Sequence, residues 1–290
     1  MKVSMKYELV IAHRVCPGLA KVAAFYDDKF ILVKDTATSL ARALTGVRTK
    51  LIVILDGCGV EYEELFDSIF GNSKIKDVDY EVLKTPAIGN HLTYARQQEV
   101  LASYMDEGEY FYFSEDDYIY RHDAFRAMMD FMNKPGVDFV TPLDHPDRYS
   151  RRIPESQKVA IRVSNYCHWR EVGTTCCTFM TSRRVFRETQ ERLSCYGRGW
   201  CDDTLWLGLT KDGVFNIVNT VWQLIWYIIS GRRDWSKCIV VSAWKCHHFH
   251  LLITRRCRLW GPMPSLAVHL AKPSLPPFAD KFLEKDSCRN

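Results

Sequence analysis

Neither sign of charge dominates this 290-residue chain: Lys and Arg number 39, Asp and Glu 35, and the formal charge is only +4. The basic residues are scattered, so there is no stripe that could neutralise a run of phosphates, and no nucleic-acid partner is expected. The opening "MKVSMKYELVIAH" lacks an apolar signal core followed by small residues, which sets the expectation of a cytoplasmic chain. No apolar run reaches the roughly 20 residues that a bilayer-spanning helix needs. The nearest is "VFNIVNTVWQLIWYIIS" (Val214 to Ser230), which also carries Asn216, Asn219 and Gln223. It reads as a buried core helix, with peripheral contact at the inner face of a membrane through residues 214–233 as the alternative. Internal repeats, low-complexity tracts and Gly/Ser linkers are missing too, so one compact unit is expected. Cysteine is not scarce, but its count of eleven is odd, and most of these residues read as small buried apolar groups in a reducing compartment.

What is present is an ordinary globular balance, 47% hydrophobic and 26% charged, arranged in a repeating pattern. "YELVIAH", "KLIVILDG", "VDYEVLKT" and "GEYFYFSEDD" are short β-branched and aromatic runs bounded by turn formers or charge. Between them lie helical patterns: "DTATSLARALTG" with Gly46 as its stop, "YEELFDSIFGN" with Gly71 as its stop, and "LTYARQQEVLASYM". Strand and helix in alternation predict an α/β fold with a mainly parallel central sheet flanked by helices. Further on, "HDAFRAMMDFMNK" predicts an amphipathic helix, "VDFVTP" and "TTCCTFMTS" strands, and "RRVFRETQERL" a helix. The expected organisation is a core over residues 1–213 and a C-terminal extension over 214–290 that completes the site.

The fourth strand ends in three consecutive acids, Glu115, Asp116 and Asp117. Ligands of open α/β sheets bind beyond the carboxyl ends of the strands, where this triplet falls. Three carboxylates together repel one another unless something positive answers them. A hard cation, Mg²⁺ or Mn²⁺, is an economical answer, and such ions are usually shared with substrate phosphates. If the extended backbone continues, Glu115 and Asp117 point one way and Asp116 the other. A solvated acidic turn closing an edge strand is the alternative.

These residues resemble a family 2-like glycosyltransferase of the GT-A (Rossmann-like) fold over most of the chain. "SEDDY" stands where that family has its acid-x-acid metal motif, "VILDGCG" with Asp56 where it has a nucleoside-side turn, and "IGNHLTYARQ" with Asn90 and Arg96 where it enters the helix before the motif. In the last, the glycine precedes Asn90 and Gln97 replaces an Asn. "GWCDDTLWLGL" offers Asp202 and Asp203 in place of the family's acid pair at a helix start. "AAFYDDKFILVKDTATSLARAL", "DFVTPLDHPDRYS", "TFMTS" and "PSLAVHLAKPSLPPFAD" complete an ordered set of blocks similar to a bacterial and viral subgroup with an EDDY motif.

The resemblance implies a metal-dependent, inverting transfer of a sugar from a UDP-, GDP- or dTDP-linked donor to a carbohydrate or glycolipid acceptor. Asp117 is the expected direct metal ligand, Glu115 reaches the ion through water or the ribose, and His269 in "PSLAVHL" is the third candidate. His13, Asp56, Asn90, Arg96, Glu115 and Asp116 are the candidates on the nucleotide side. Asp203 is the expected base, held by a helix N-terminus, with Asp202 its rival; a helix-capping role is the alternative. Asp144, His145, Asp147, Tyr149 and Trp169 are candidates for the acceptor side. "CHHFH" (Cys246 to His250) has the residue types of a zinc site but reads as too crowded for one, and as a strand of coincidental composition. A sugar-phosphate nucleotidyltransferase is the competing enzyme, although "HRVCPGLAK" is poor in glycine for its phosphate loop. A non-enzymatic carbohydrate-binding protein is the third reading.

Overall fold

The computed structural model describes residues 5–18, 24–71, 75–149, 160–229 and 238–272, with 275 and 279. In chain order the elements begin β1 (Tyr7–Val15), α1 (Lys29–Ala43), β2 (Thr49–Asp56), α2 (Val60–Phe70), β3 (Val78–Thr85), α3 (Asn90–Ser103) and β4 (Gly108–Glu115). The next are β5 (Tyr118–Tyr120), α4 (Ala124–Met132), β6 (Phe139–Val140), β7 (Ile161–Val163), β8 (His168–Val172) and β9 (Phe179–Ser182). After these come α5 (Arg183–Gly197), α6 (Asp202–Thr210), α7 (Ile217–Ile229), α8 (Ile239–His247), α9 (His250–Ile253), β10 (Leu259–Met263) and β11 (Ala267–His269).

A nine-stranded sheet in the order β3-β2-β1-β4-β9-β6-β10-β8-β7 forms the centre. The strands β3, β2, β1 and β4 run parallel, as does β10 beside β6; β9, β8 and β7 pair antiparallel with their neighbours. The sequence of β2, "TKLIVILD", is buried at every position, which is what a parallel strand covered on both faces requires. Period-two alternation then sorts side chains between two cores. Tyr110 and Tyr112 of β4 join Leu9, Ile11 and Val53 under α1 and α2, whereas Phe111 and Phe113 join Val10, Ala12 and Ile54 under α3, α5 and α6.

The expected α/β class is therefore what the chain adopts. The C-terminal region does not stand apart: β10 inserts between β6 and β8, and β11 pairs with β5 in a separate two-stranded ribbon. Helix α1 starts a turn and a half earlier than the pattern around Ala37 suggests, because the Asp28 side chain accepts from the Ile31 amide and caps it there.

Two expectations are corrected. The apolar run after Val214 forms α7, yet it is no core helix: Ile217, Val218, Trp222, Ile228 and Ile229 lie on the surface, with Trp222 67% exposed. Gln223 ties it to α8, accepting from the Val240 amide at 2.9 Å. No helix among the described residues is long and apolar enough to cross a membrane. The "CHHFH" segment is no strand: Cys246 and His247 end α8, His248 and Phe249 turn the chain, and His250 begins α9.

Candidate active site

The parallel register sets Arg14 beside Glu115 and His13 beside Ser114 at the carboxyl ends of β1 and β4. Glu115 is the last strand residue; Asp116 and Asp117 form the turn into β5. The chain leaves the extended conformation there, so the simple alternation expected for the three acids does not apply. Each acid instead meets its own protein cation. Glu115 Oε1 accepts from Arg14 Nη2 at 2.5 Å, and its Oε2 accepts from the Thr178 hydroxyl at 2.9 Å. Asp116 Oδ1 pairs with Lys29 Nζ at 2.7 Å and Oδ2 accepts from the Cys16 amide at 2.9 Å. Asp117 Oδ2 lies 3.0 Å from His269 Nε2. The ribbon makes this last contact, because β11 pairs His269 with Tyr118 and stacks the two rings at 4.8 Å.

The electrostatics follow from those pairs. Burial pushes the Asp117 carboxyl up, but the charges of His269, Lys29 and Arg14 outweigh it and hold it below its usual range. Asp116 goes the other way: burial and the neighbouring Asp117 charge win over Lys29. Burial opposes the charge on His269, and the Asp117 carboxylate outweighs it, raising the imidazole well above its ordinary value. Burial, then the Lys29 charge, push His13 down to about 3. His13 is thus a neutral core imidazole, 1% exposed, bonded through Nδ1 to Ser114 Oγ at 2.9 Å, and it lies behind the strand ends instead of at their surface.

Neutralisation by Arg14, Lys29 and His269 means the triplet needs no ion to exist. A hard cation nevertheless has an oxygen to take: Asp117 Oδ1 is buried and accepts no hydrogen bond. Such an oxygen is costly to leave bare. Asp117 therefore fits Mn²⁺ or Mg²⁺, and His269 joins it only once Nε2 gives up the proton that answers Asp117 Oδ2. Glu115 has both oxygens engaged and fits only through an intervening water.

Asn90 is the first residue of α3 and reaches the same place. Its carbonyl and Oδ1 accept from Arg14 Nη1 at 2.7 and 2.5 Å, and its Nδ2 donates to the Tyr196 hydroxyl at 2.8 Å. Arg96 does not. It forms a surface pair with Glu99 one turn along at 2.9 Å, and its neighbour Gln97 is the residue that points inward. The Gln97 amide donates to the carbonyls of Ala12 and Ser114, both at 2.8 Å, clamping the ends of β1 and β4. Asp56 is occupied as well: it accepts from Thr85 Oγ1, the Ile88 amide and the Gly89 amide at 2.7, 2.7 and 2.9 Å. Its contacts fix the turn that delivers Asn90, including Gly89 at a φ of 87°.

The second acid pair opens α6. Asp202 and Asp203 are its first two residues, and Asp202 Oδ1 accepts from the Asp203 amide at 2.9 Å. A helix N-terminus alone would hold these carboxyls low. For Asp202, burial dominates, followed by the Asp203 charge, with a further push from Glu115, and its carboxyl is raised to about 6. The charge of Glu115 thus reaches Asp202 at the start of α6. The Tyr196 hydroxyl accepts from Asn90 Nδ2 and lies within reach of the Glu115 and Asp202 charges.

On the expected acceptor side, the Asp144 carboxylate accepts from the Tyr149 hydroxyl at 2.7 Å, while Trp169 is fully buried and stacked on Phe131 at 4.4 Å. Trp169 is thus a core residue. Arg14, Lys29, Thr178 and Tyr196 are at the site and escaped the sequence reading. For Arg14, a cation directly after the apolar run "ELVIAH" was a legible signal.

No protein-family model matches the chain, and no curated protein matches it. Among solved structures it is similar to the galactosyltransferase LgtC in complex with donor and acceptor sugar analogs, at 13% identity over 97% of this chain and 96% of that one, TM-score 0.44. It is similar to S. aureus TarS 1-349 at 12% identity over 66% and 55% of the two chains, TM-score 0.40. A cytidylyltransferase from Leptospira borgpetersenii follows at 12% identity, 64% and 63%, TM-score 0.34. The chain spans less than two thirds of the length of these last two. Likeness of this order leaves the activity to be argued from the site.

Proposed function

We propose that the chain is a metal-dependent, inverting glycosyltransferase that moves a sugar from a nucleoside-diphosphate sugar to a hydroxyl of a carbohydrate or glycolipid. The observation that carries this reading is the Asp202 carboxyl at the start of α6, raised to about 6 by burial and by the charges of Asp203 and Glu115. A general base works best with a pKa near the working pH, and Asp202 is closer to that condition than an ordinary surface carboxylate. We therefore favour Asp202 over Asp203 as the group that takes the acceptor proton, with Asp203 tuning it. A single displacement with such a base inverts the anomeric carbon.

The triplet is balanced by its own cations, so an incoming diphosphate brings charge that the site does not answer. Mn²⁺ or Mg²⁺, held by Asp117 and by His269 after it loses its proton, would supply Lewis-acid stabilisation of the departing diphosphate. Arg14 holds Glu115 and Asn90 in fixed positions beside it, and Asp56 fixes the turn ahead of Asn90. The exposed apolar face of α7 supports peripheral contact with a membrane, which would suit a glycolipid acceptor. A panel of UDP-, GDP- and dTDP-sugars with Mn²⁺ or Mg²⁺, read by release of the nucleoside diphosphate, tests the reading. Release from at least one donor, abolished by chelation, is expected; no release from any donor with either metal would count against it.

A further inference from the structure

A second cluster of ligating side chains lies behind α6, away from the acidic triplet. Cys195 sits near the end of α5, and Cys246 and His247 in the last turn of α8. Their ligand atoms all lie within 4.8 Å of one another. Cys195 and His247 are 0% and 3% exposed. Tetrahedral zinc, with bonds of about 2.3 Å to sulfur and about 2.0 Å to nitrogen, would draw such atoms together by rotamer adjustments alone.

The histidine is prepared for this role. His247 Nε2 lies 3.1 Å from the Thr204 carbonyl of α6. A carbonyl can only accept, so the proton is on Nε2, and Nδ1 keeps its lone pair. A ring nitrogen bonded to a backbone carbonyl, with the other left free, is the arrangement that orients metal-bound histidines. Two further residues fit. A side chain at Gly208 would collide with the His247 ring, and Arg198 Nη2 donates to Cys246 Sγ at 3.6 Å, where it would balance thiolate charge. Cys201 stays outside, with its Sγ 3.1 Å from Thr204 Oγ1.

We infer that Cys195, Cys246 and His247 bind a zinc ion that joins α5 to α8 and, through the His247 bond to Thr204, braces the helix that begins with Asp202 and Asp203. Thiolate and imidazole ligands select zinc over the hard cations that suit Asp117, so the two metal sites are chemically distinct.

The test uses the full chain purified without chelator or metal-affinity resin. Elemental analysis should find stoichiometric zinc in the wild type and in Asp117→Asn, and its loss in Cys246→Ser and His247→Gln. Cobalt substitution should give a thiolate-to-metal charge-transfer band that Cys246→Ser removes. Should the variants fail to fold, the wild type still decides: alkylation mapped by peptide mass should modify Cys195 and Cys246 only after zinc is stripped. Folded wild type without zinc, a Cys195–Cys246 disulfide, or zinc unchanged in both folded variants overturns the inference.

Discussion

Arg14 joins two elements that are far apart in sequence: its Nη2 holds Glu115 Oε1 at 2.5 Å while its Nη1 holds Asn90 Oδ1 at 2.5 Å. The guanidinium is buried, so Arg14→Met strands the Glu115 carboxylate with the Thr178 hydroxyl as its remaining partner. Removing one member of a buried pair leaves a charge uncompensated, and about 2–4 kcal/mol of stability should go, somewhat less than for a full burial because Glu115 keeps 22% of its side chain exposed. Urea unfolding of Arg14→Met and of Arg14→Met/Glu115→Gln checks this. The double variant should recover most of the loss, and a neutral single variant would refute the pairing.

The raised Asp202 carboxyl sets a pH dependence. As base it must be ionised, so kcat/KM should rise with pH through about 6 and level off above it. The Asp203 charge is the second cause of that shift, after burial. Asp203→Asn should therefore keep activity and move the inflection to lower pH. An unmoved inflection in Asp203→Asn, or loss of transfer in that variant alone, would return the role of base to Asp203.

Stability should move against activity at the same residue. A carboxyl whose folded value exceeds its unfolded one binds its proton more tightly when folded. Ionised at pH 7, Asp202 costs stability on the order of 2 kcal/mol, and the cost fades as pH falls through about 6 toward 4. Asp202→Asn should thus melt higher than wild type at pH 7, converge with it near pH 4, and transfer at least ~10²-fold more slowly. Thermal unfolding across that pH range, beside turnover, measures both.

The scaffold was legible where burial leaves a period-two or fully apolar imprint, as in β2 and in the Tyr110–Phe113 alternation. The site was legible only in part, because acids announce themselves in sequence while their partners do not. Arg14 lies 101 residues from Glu115, and His269 lies 152 from Asp117. A helix also turns adjacent residues roughly 100° apart, enough for Arg96 to face solvent while Gln97 reaches into the sheet. The apolar composition of α7 cannot by itself distinguish a core from a surface. Cys195 and Cys246 likewise meet only because α5 and α8 both pack on α6.

For α7 the exposed face predicts binding to vesicles. Co-sedimentation with anionic liposomes should retain the wild type, and Trp222→Glu with Ile225→Glu should weaken retention severalfold while leaving turnover on a soluble acceptor unchanged. Wild type that stays in the supernatant would remove the membrane contact.

The most direct measurement is a crystal structure with Mn²⁺ and a nucleoside diphosphate, using the manganese anomalous signal. The anomalous peak should lie on Asp117 Oδ1 and His269, with the diphosphate against it and the Asp202 carboxylate across the cleft. A peak elsewhere, or a nucleotide bound away from the ends of β1 and β4, would contradict glycosyl transfer at this site.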